Sequence, residues 1–303
     1  MSGNTINEFA NKQCTTALRG LAILIIMIGH VGVSGFECRY FNPFGGIGVA
    51  MFLFLSGYGL TESYKKNGLD SFWKKKALRI TIPYLLWIPF YHIAMRLSPL
   101  GCAQYLEIIP RYWFIEYLIL MYLLFYIVFR YIRKYALIVI NMLGLFSFFL
   151  LSNLQAEQSF SFACGIAFSI YKLHIFRLNK HKLLQAAALC FIIGIIALLI
   201  KQLPQLRTDG LDSLPIRITN LFLKLPIGLS LILFLICQLP HGIKALIPVG
   251  NISYELYLTH VPFFMSIAGT IVNLTLFAIQ SMLLASVLHT LTKVIKLKNN
   301  HHG

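Results

Sequence analysis

The sequence predicts an all-α polytopic membrane bundle of about ten transmembrane helices, and three observations carry that prediction. Hydrophobic residues make up 58% of the 303 and charged residues 12%, about half the charged share of an ordinary soluble domain. The apolar residues come in long blocks, many near the roughly 20 residues needed to cross a bilayer core. Basic residues cluster between the blocks, as loop charge does when it fixes topology. Helix is the expected state of each block, because lipid offers no partner to an open backbone group.

The blocks fall at 16–34, 46–64, 78–96, 112–130, 135–152, 159–174, 183–201, 219–239, 247–266 and 269–291. The first follows a polar stretch that holds one Lys and one Glu in its first 15 residues. That is a weak leader signature, so the block reads as a retained helix. The second opens on Gly45-Gly46-Ile47-Gly48, small residues that let helices approach, and carries Ser56 and Tyr58 as groups able to bond across a helix pair. The third is led in by the basic run Lys74-Lys75-Lys76-Ala77-Leu78-Arg79, with Phe72 and Trp73 before it as interface anchors. Tyr112 and Trp113 anchor the fourth in the same way. The sixth is short and rich in Ser and Gly, and the ninth contains Ser253 to His260. The fifth, seventh, eighth and tenth rest on hydropathy. One transmembrane domain over residues 1–303 is expected, with no appended soluble domain.

Charge supplies the orientation. With the N-terminus in the cytoplasm, 19 of the 26 Lys and Arg residues fall on the inner side. The outer side holds only Arg39, Arg96, Arg111, Lys201, Arg207, Arg217 and Lys224. Both termini are therefore expected in the cytoplasm. The formal charge of +16 could suggest nucleic acid, but no Arg/Lys face interleaved with aromatics exists to bind it. Six cysteines show no C-x-x-C pair or metal-type spacing, so no metal is expected. Cys38 and Cys102 both fall in outer loops and could form a bridge.

Ionisable groups inside a bilayer are costly, which makes each a functional candidate. The candidates are His30, His92, Glu116, Glu255 and His260. Arg19 and His30 are eleven residues apart, about three turns and roughly 16 Å of rise, so they share one face of the first helix. A histidine there can exchange protons near neutrality or act as a nucleophile; it can equally tie helices together through a backbone bond. Lys76 and Arg79, three apart, can project from one side of a starting helix and hold phosphates, or serve topology and anionic-lipid contact. His260 lies one turn after Tyr257 and two after Ser253, at the depth of His30. Glu116 reaches the same depth and could orient His30. Glu255, with Asn251 and Thr259 four residues to either side, reads as a polar ladder between helices, and His92 has no motif around it.

Five segments together resemble acyltransferase family 3, integral membrane acyltransferases that include bacterial O-antigen and exopolysaccharide O-acetyltransferases. They are Arg19-Gly20-Leu21-Ala22 with His30, then Gly48-Val49 through Phe52, Leu55-Ser56-Gly57-Tyr58, then Lys76 through Arg79-Ile80 to Pro83. Trp113-Phe114-Ile115 and Ser253-Tyr254-Glu255-Leu256-Tyr257-Leu258-Thr259-His260 complete the set in family order. The resemblance implies transfer of an acyl group, usually acetyl from acetyl-CoA, to a carbohydrate hydroxyl. It maps the first-helix histidine onto His30 and the basic R-x-x-R pair onto Lys76 and Arg79, with Lys in the first position. Ala50 stands where many members carry a polar or acidic residue, and Leu53 replaces the usual second Phe.

The expected site lies in a polar cavity between the first, second, third, fourth and ninth helices. Lys76, Arg79 and Arg19 hold the acyl-CoA there, and His30 acts deeper as general base or acyl carrier, with Glu116 and His260 as further catalytic candidates. The expected partners are acyl-CoA, a glycan or lipid-linked saccharide, and the lipids of the cell (inner) membrane. The competing reading from another class is a proton-coupled transporter or flippase that uses His30, Glu116 and His260 as a relay. The absence of an inverted repeat weighs against it.

Overall fold

A computed structural model describes residues 12–33, 39–97, 112–208, 213–238, 242–264 and 270–301. Among the described residues, ten principal helices correspond one for one to the apolar blocks: α1 Lys12–Val33, α2 Asn42–Asn67, α3 Ile82–Leu97, α4 Trp113–Tyr131, α5 Ala136–Leu150, α6 Ser161–Ile170, α7 Lys180–Lys201, α8 Leu214–Gln238, α9 Ser253–Phe264 and α10 Ile271–His301. No strand occurs among the described residues. Among the described residues, seven helices are long and apolar enough to cross a membrane, namely α1, α2, α4, α5, α7, α8 and α10. The other three are shorter, with 16 residues in α3, 10 in α6 and 12 in α9. Cys38 and Cys102 lie outside the described residues, as does any bridge between them.

Helix α2 is the axis of the bundle. Every residue from Gly46 to Leu55 is buried, as are Gly57, Tyr58, Leu60 and Thr61, so this helix is apolar all round and meets protein rather than lipid. α1, α6 and α8 pack directly against it. On α6 the approach is close enough for backbone to meet backbone: a Cβ on Gly57 would strike the Phe162 carbonyl, and one on Gly165 the Phe54 carbonyl. Glycine at both positions permits the tight crossing that small residues give membrane helices. At the far end Glu62 locks the two together, accepting hydrogen bonds from Ser169 Oγ at 2.7 Å and Lys172 Nζ at 2.7 Å. α7 and α10 present their apolar sides outward, with Leu189, Leu199, Leu283 and Ile279 all exposed, as a lipid-facing shell requires.

Two irregular turns shape the interior. Between the short helix Phe72–Lys76 and α3, residues Ala77–Thr81 form a π-helical turn in which Ile82 N–H donates to the carbonyl of Ala77. Such wide turns are frequent at functional sites, and the Tyr254 hydroxyl donates to the Ile80 carbonyl at 3.0 Å. The second irregularity is Pro262 in α9. Proline has no N–H to give the carbonyl four residues back, which is that of Leu258. The Tyr112 hydroxyl donates to that carbonyl instead at 2.8 Å, while accepting from Trp87 Nε1 at 2.7 Å. One phenol thus ties α3, α4 and α9.

Candidate active site

Two polar assemblies lie at different depths along α1. At the level of Arg19, a cavity of about 350 Å³ opens between α1, α2, the basic turn before α3, α4, α9 and α10. Lys12, Arg19, Lys75, Lys76, Arg79 and Lys296 line it, against the carboxylates Asp70 and Glu255. The lining is therefore strongly cationic, and a polyanion is the ligand such a field favours. Lys76 Nζ sits 4.6 Å over the Tyr122 ring, a contact that suits a cation. Burial, and then the charges of Arg79, Arg19 and Lys75, push its ammonium down to about 7. An incoming phosphate would reverse that penalty. Arg19 of α1 thus meets Lys76 and Arg79 of the basic run before α3, and Arg79 is exposed at the π-helical turn.

The tenth helix adds two residues to this cavity that the sequence reading passed over. His289 Nδ1 donates to Glu255 Oε1 at 3.0 Å, and Lys296 lies near the same carboxylate. Glu255, read as part of a ladder between helices, is buried and held by α10. His289 was detectable, since it lies within the tenth apolar block and is ionisable, which is the criterion that singled out His30.

About three turns along α1, His30 meets His260. Nδ1 of His30 and Nε2 of His260 are 2.8 Å apart, with ring centroids 5.0 Å apart and planes 26° apart, so the two rings meet edge to edge. His260 is fully buried, and its Nδ1 is 2.8 Å from the Leu256 carbonyl. A carbonyl only accepts, so His260 Nδ1 carries a proton and donates it. In a neutral ring, Nε2 then has the lone pair and accepts from His30 Nδ1–H. The opposite polarity would need an imidazolium in an apolar interior, which is costly. His30 Nε2 is thereby the basic nitrogen of the pair, and the tautomers of both rings follow from one backbone carbonyl.

An aromatic floor separates the assemblies. Phe52, Phe114 and Tyr257 line the deep end of the cavity. Phe114 stands 5.0 Å from Tyr257 and 6.1 Å from Phe52, and the Tyr257 ring is 5.5 Å from that of His260. The polar cavity expected to run to His30 therefore stops at Tyr257, one turn short of the dyad.

Glu116 is not brought to His30. It shares a side of α4 with the exposed Ile119, Leu123 and Ile127, whereas Phe114, Tyr117, Leu118, Met121 and Tyr122 form the buried face. The 3.6-residue period that turns the aromatics inward turns Glu116 outward. His92 lies against the Tyr91 ring and outside both assemblies.

A family model described as an acyltransferase domain matches residues 15–292, a span that contains the dyad and all the cavity residues named above except Lys12 and Lys296. No curated protein and no solved structure matches the chain.

Proposed function

The chain belongs to acyltransferase family 3 and is a multi-pass membrane acyltransferase, and from that premise we propose that it moves an acetyl group from cytosolic acetyl-CoA to a hydroxyl of a cell-surface or lipid-linked glycan in the cell membrane. The observation that carries this reading is the division of labour along α1. The same helix contributes Arg19 to the cationic cavity and His30 to the dyad beyond it.

In this reading Arg19, Lys76 and Arg79 hold the phosphates of the donor at the inner face, Arg79 through its planar fork. The Phe52, Phe114 and Tyr257 side chains close the cavity short of the dyad, so in this reading they swing aside as the pantetheine arm enters and let the thioester reach His30. His30 Nε2 takes the proton of the acceptor hydroxyl as its oxygen attacks the thioester carbonyl. The new C–O ester bond forms, the C–S bond breaks, and the departing thiolate takes the proton back from His30. His260 touches no reacting atom. It fixes the tautomer and direction of the His30 ring, the part an orienting carboxylate plays in a catalytic triad.

The test uses purified protein in lipid nanodiscs with radiolabelled acetyl-CoA and the glycan fraction of the native cell. His30→Ala should fold and insert normally, yet lose about 10²–10⁴ in transfer rate. His260→Ala should lose less, and its rate should show an altered pH profile. Wild-type rates in His30→Ala would remove that residue from the mechanism. An acetyl mass found on His30 after acid quench would replace the general-base route with an acyl-enzyme.

A further inference from the structure

A third polar group lies at the dyad end of the bundle, outside the cavity and unused in the mechanism above. Lys224 of α8 pairs with Glu157, which precedes α6, and both are buried, at 8% and 2% exposure. Beside them the fully buried Gln158 donates from Nε2 to the Gly46 carbonyl at 2.9 Å and accepts at Oε1 from Ser161 Oγ at 3.0 Å. A charged pair in the interior of a membrane bundle is costly to keep, so its retention asks for a role.

The first turn of α2 supplies one. Gly45, Gly46 and Gly48 begin that helix, and Phe41 before it offers no side-chain cap. Glycines give a helix start little intrinsic order. The turn is instead fixed from outside: the Lys224 side chain lies flat across Gly46, where a Cβ would collide with it, and Gln158 holds the Gly46 carbonyl. The neighbouring Gly45 is pressed against α1 at Gly29, where a Cβ would strike the Gly45 backbone. Gly29 is the residue before His30.

We propose that the Lys224–Glu157 pair, with Gln158, positions His30 by clamping the glycine-rich start of α2 against α1. The proposal rests on the reading of His30 as the catalytic base. Lys224 and Glu157 are positioning residues, and the contact runs from Lys224 through Gly46 and Gly45 to Gly29. Because the clamp acts at the dyad and not at the cationic cavity, its loss should slow transfer while leaving donor binding alone.

The experiment compares Lys224→Met/Glu157→Leu and Gly46→Ala with the wild type in nanodiscs. The double variant removes both charges together, so neither is left stranded. The methyl of Gly46→Ala displaces the Lys224 chain while the charges remain. Both should keep the KM for acetyl-CoA and the thermal stabilisation it confers within about twofold, while kcat falls by up to about 10²-fold, the cost of misplacing a reacting group by an ångström. Adding Gly46→Ala to the double variant should cost less than it does alone, since coupled sites are not additive. Wild-type kcat in Gly46→Ala overturns the proposal even if the double variant fails to fold. A parallel loss of donor binding overturns it too, because the role would then be general stability. His30→Ala serves as the separate control. If that variant transfers normally, the catalytic reading fails. If it is dead while the clamp variants are fully active, only the clamp fails.

Discussion

Lys76 holds its charge against the fold. Its ammonium, pushed down to about 7 by burial and by Arg79, Arg19 and Lys75, is protonated below that pH and neutral above it. Phosphate binding favours the protonated form, so above pH 7 the bound complex must take up a proton that the free protein has lost. Affinity for CoA should therefore fall as pH rises from 7 to 8.5, by at most tenfold per unit for one proton. Lys76→Arg should flatten the fall, because a guanidinium stays charged throughout. Calorimetric titration with CoA at several pH values measures the difference between the two proteins. Equal slopes would mean that Lys76 does not meet the phosphates. The dyad illustrates the same dependence on neighbours. Nothing in the string of residues distinguishes the two nitrogens of His30. The Leu256 carbonyl does, acting through His260.

Helix α9 does more than carry His260. Pro262 frees the Leu258 carbonyl, and Tyr112 uses it to join α3, α4 and α9 within a turn of the dyad. Tyr112→Phe would strand both the Trp87 N–H and the Leu258 carbonyl in a buried setting. Each such group costs about 1–3 kcal/mol, so a clear drop in Tm is expected in detergent. An unchanged Tm would mean that other groups satisfy the pair. Thr259 makes a similar tie to α10, donating to the Ser281 carbonyl at 2.9 Å. The polar residues of the ninth block thus divide between holding helices and serving the site. Spacing along one helix could not separate the two uses, because both require an inward face.

Across the whole molecule, the cationic cavity and the dyad lie at different depths along α1. On the orientation that loop charge predicts, the cavity end faces the inside. With the native cysteines replaced by serine, Asp70→Cys at the cavity mouth and Gln202→Cys at the end of α7, both exposed positions, report the orientation. An impermeant maleimide added to intact cells should label position 202 and spare position 70. The reverse pattern would open the cationic cavity to the outside and overturn the orientation drawn from loop charge. Each predicted block contains a helix, yet among the described residues only seven are long and apolar enough to cross a membrane, and α3, α6 and α9 are too short. The apolar blocks there are broken into helix and turn by the π-helical turn, by the break after Ile170 and by the turn at Ile252.

Hydropathy and charge placement determined the helical class and the ten segments, because a bilayer leaves an apolar backbone one economical answer and loops carry what lipid rejects. The same sequence identified Arg19, His30, Lys76, Arg79 and His260, each an ionisable residue in or beside an apolar block. Only the tertiary structure decided which of them meet. It paired His30 with His260, 230 residues apart in sequence. It turned Glu116 away, brought His289 and Lys296 to the cavity, and buried Lys224 against Glu157. The physical reason is that depth along a helix can be read from rise per residue, whereas the side a helix turns to its neighbours is set by packing among all of them at once.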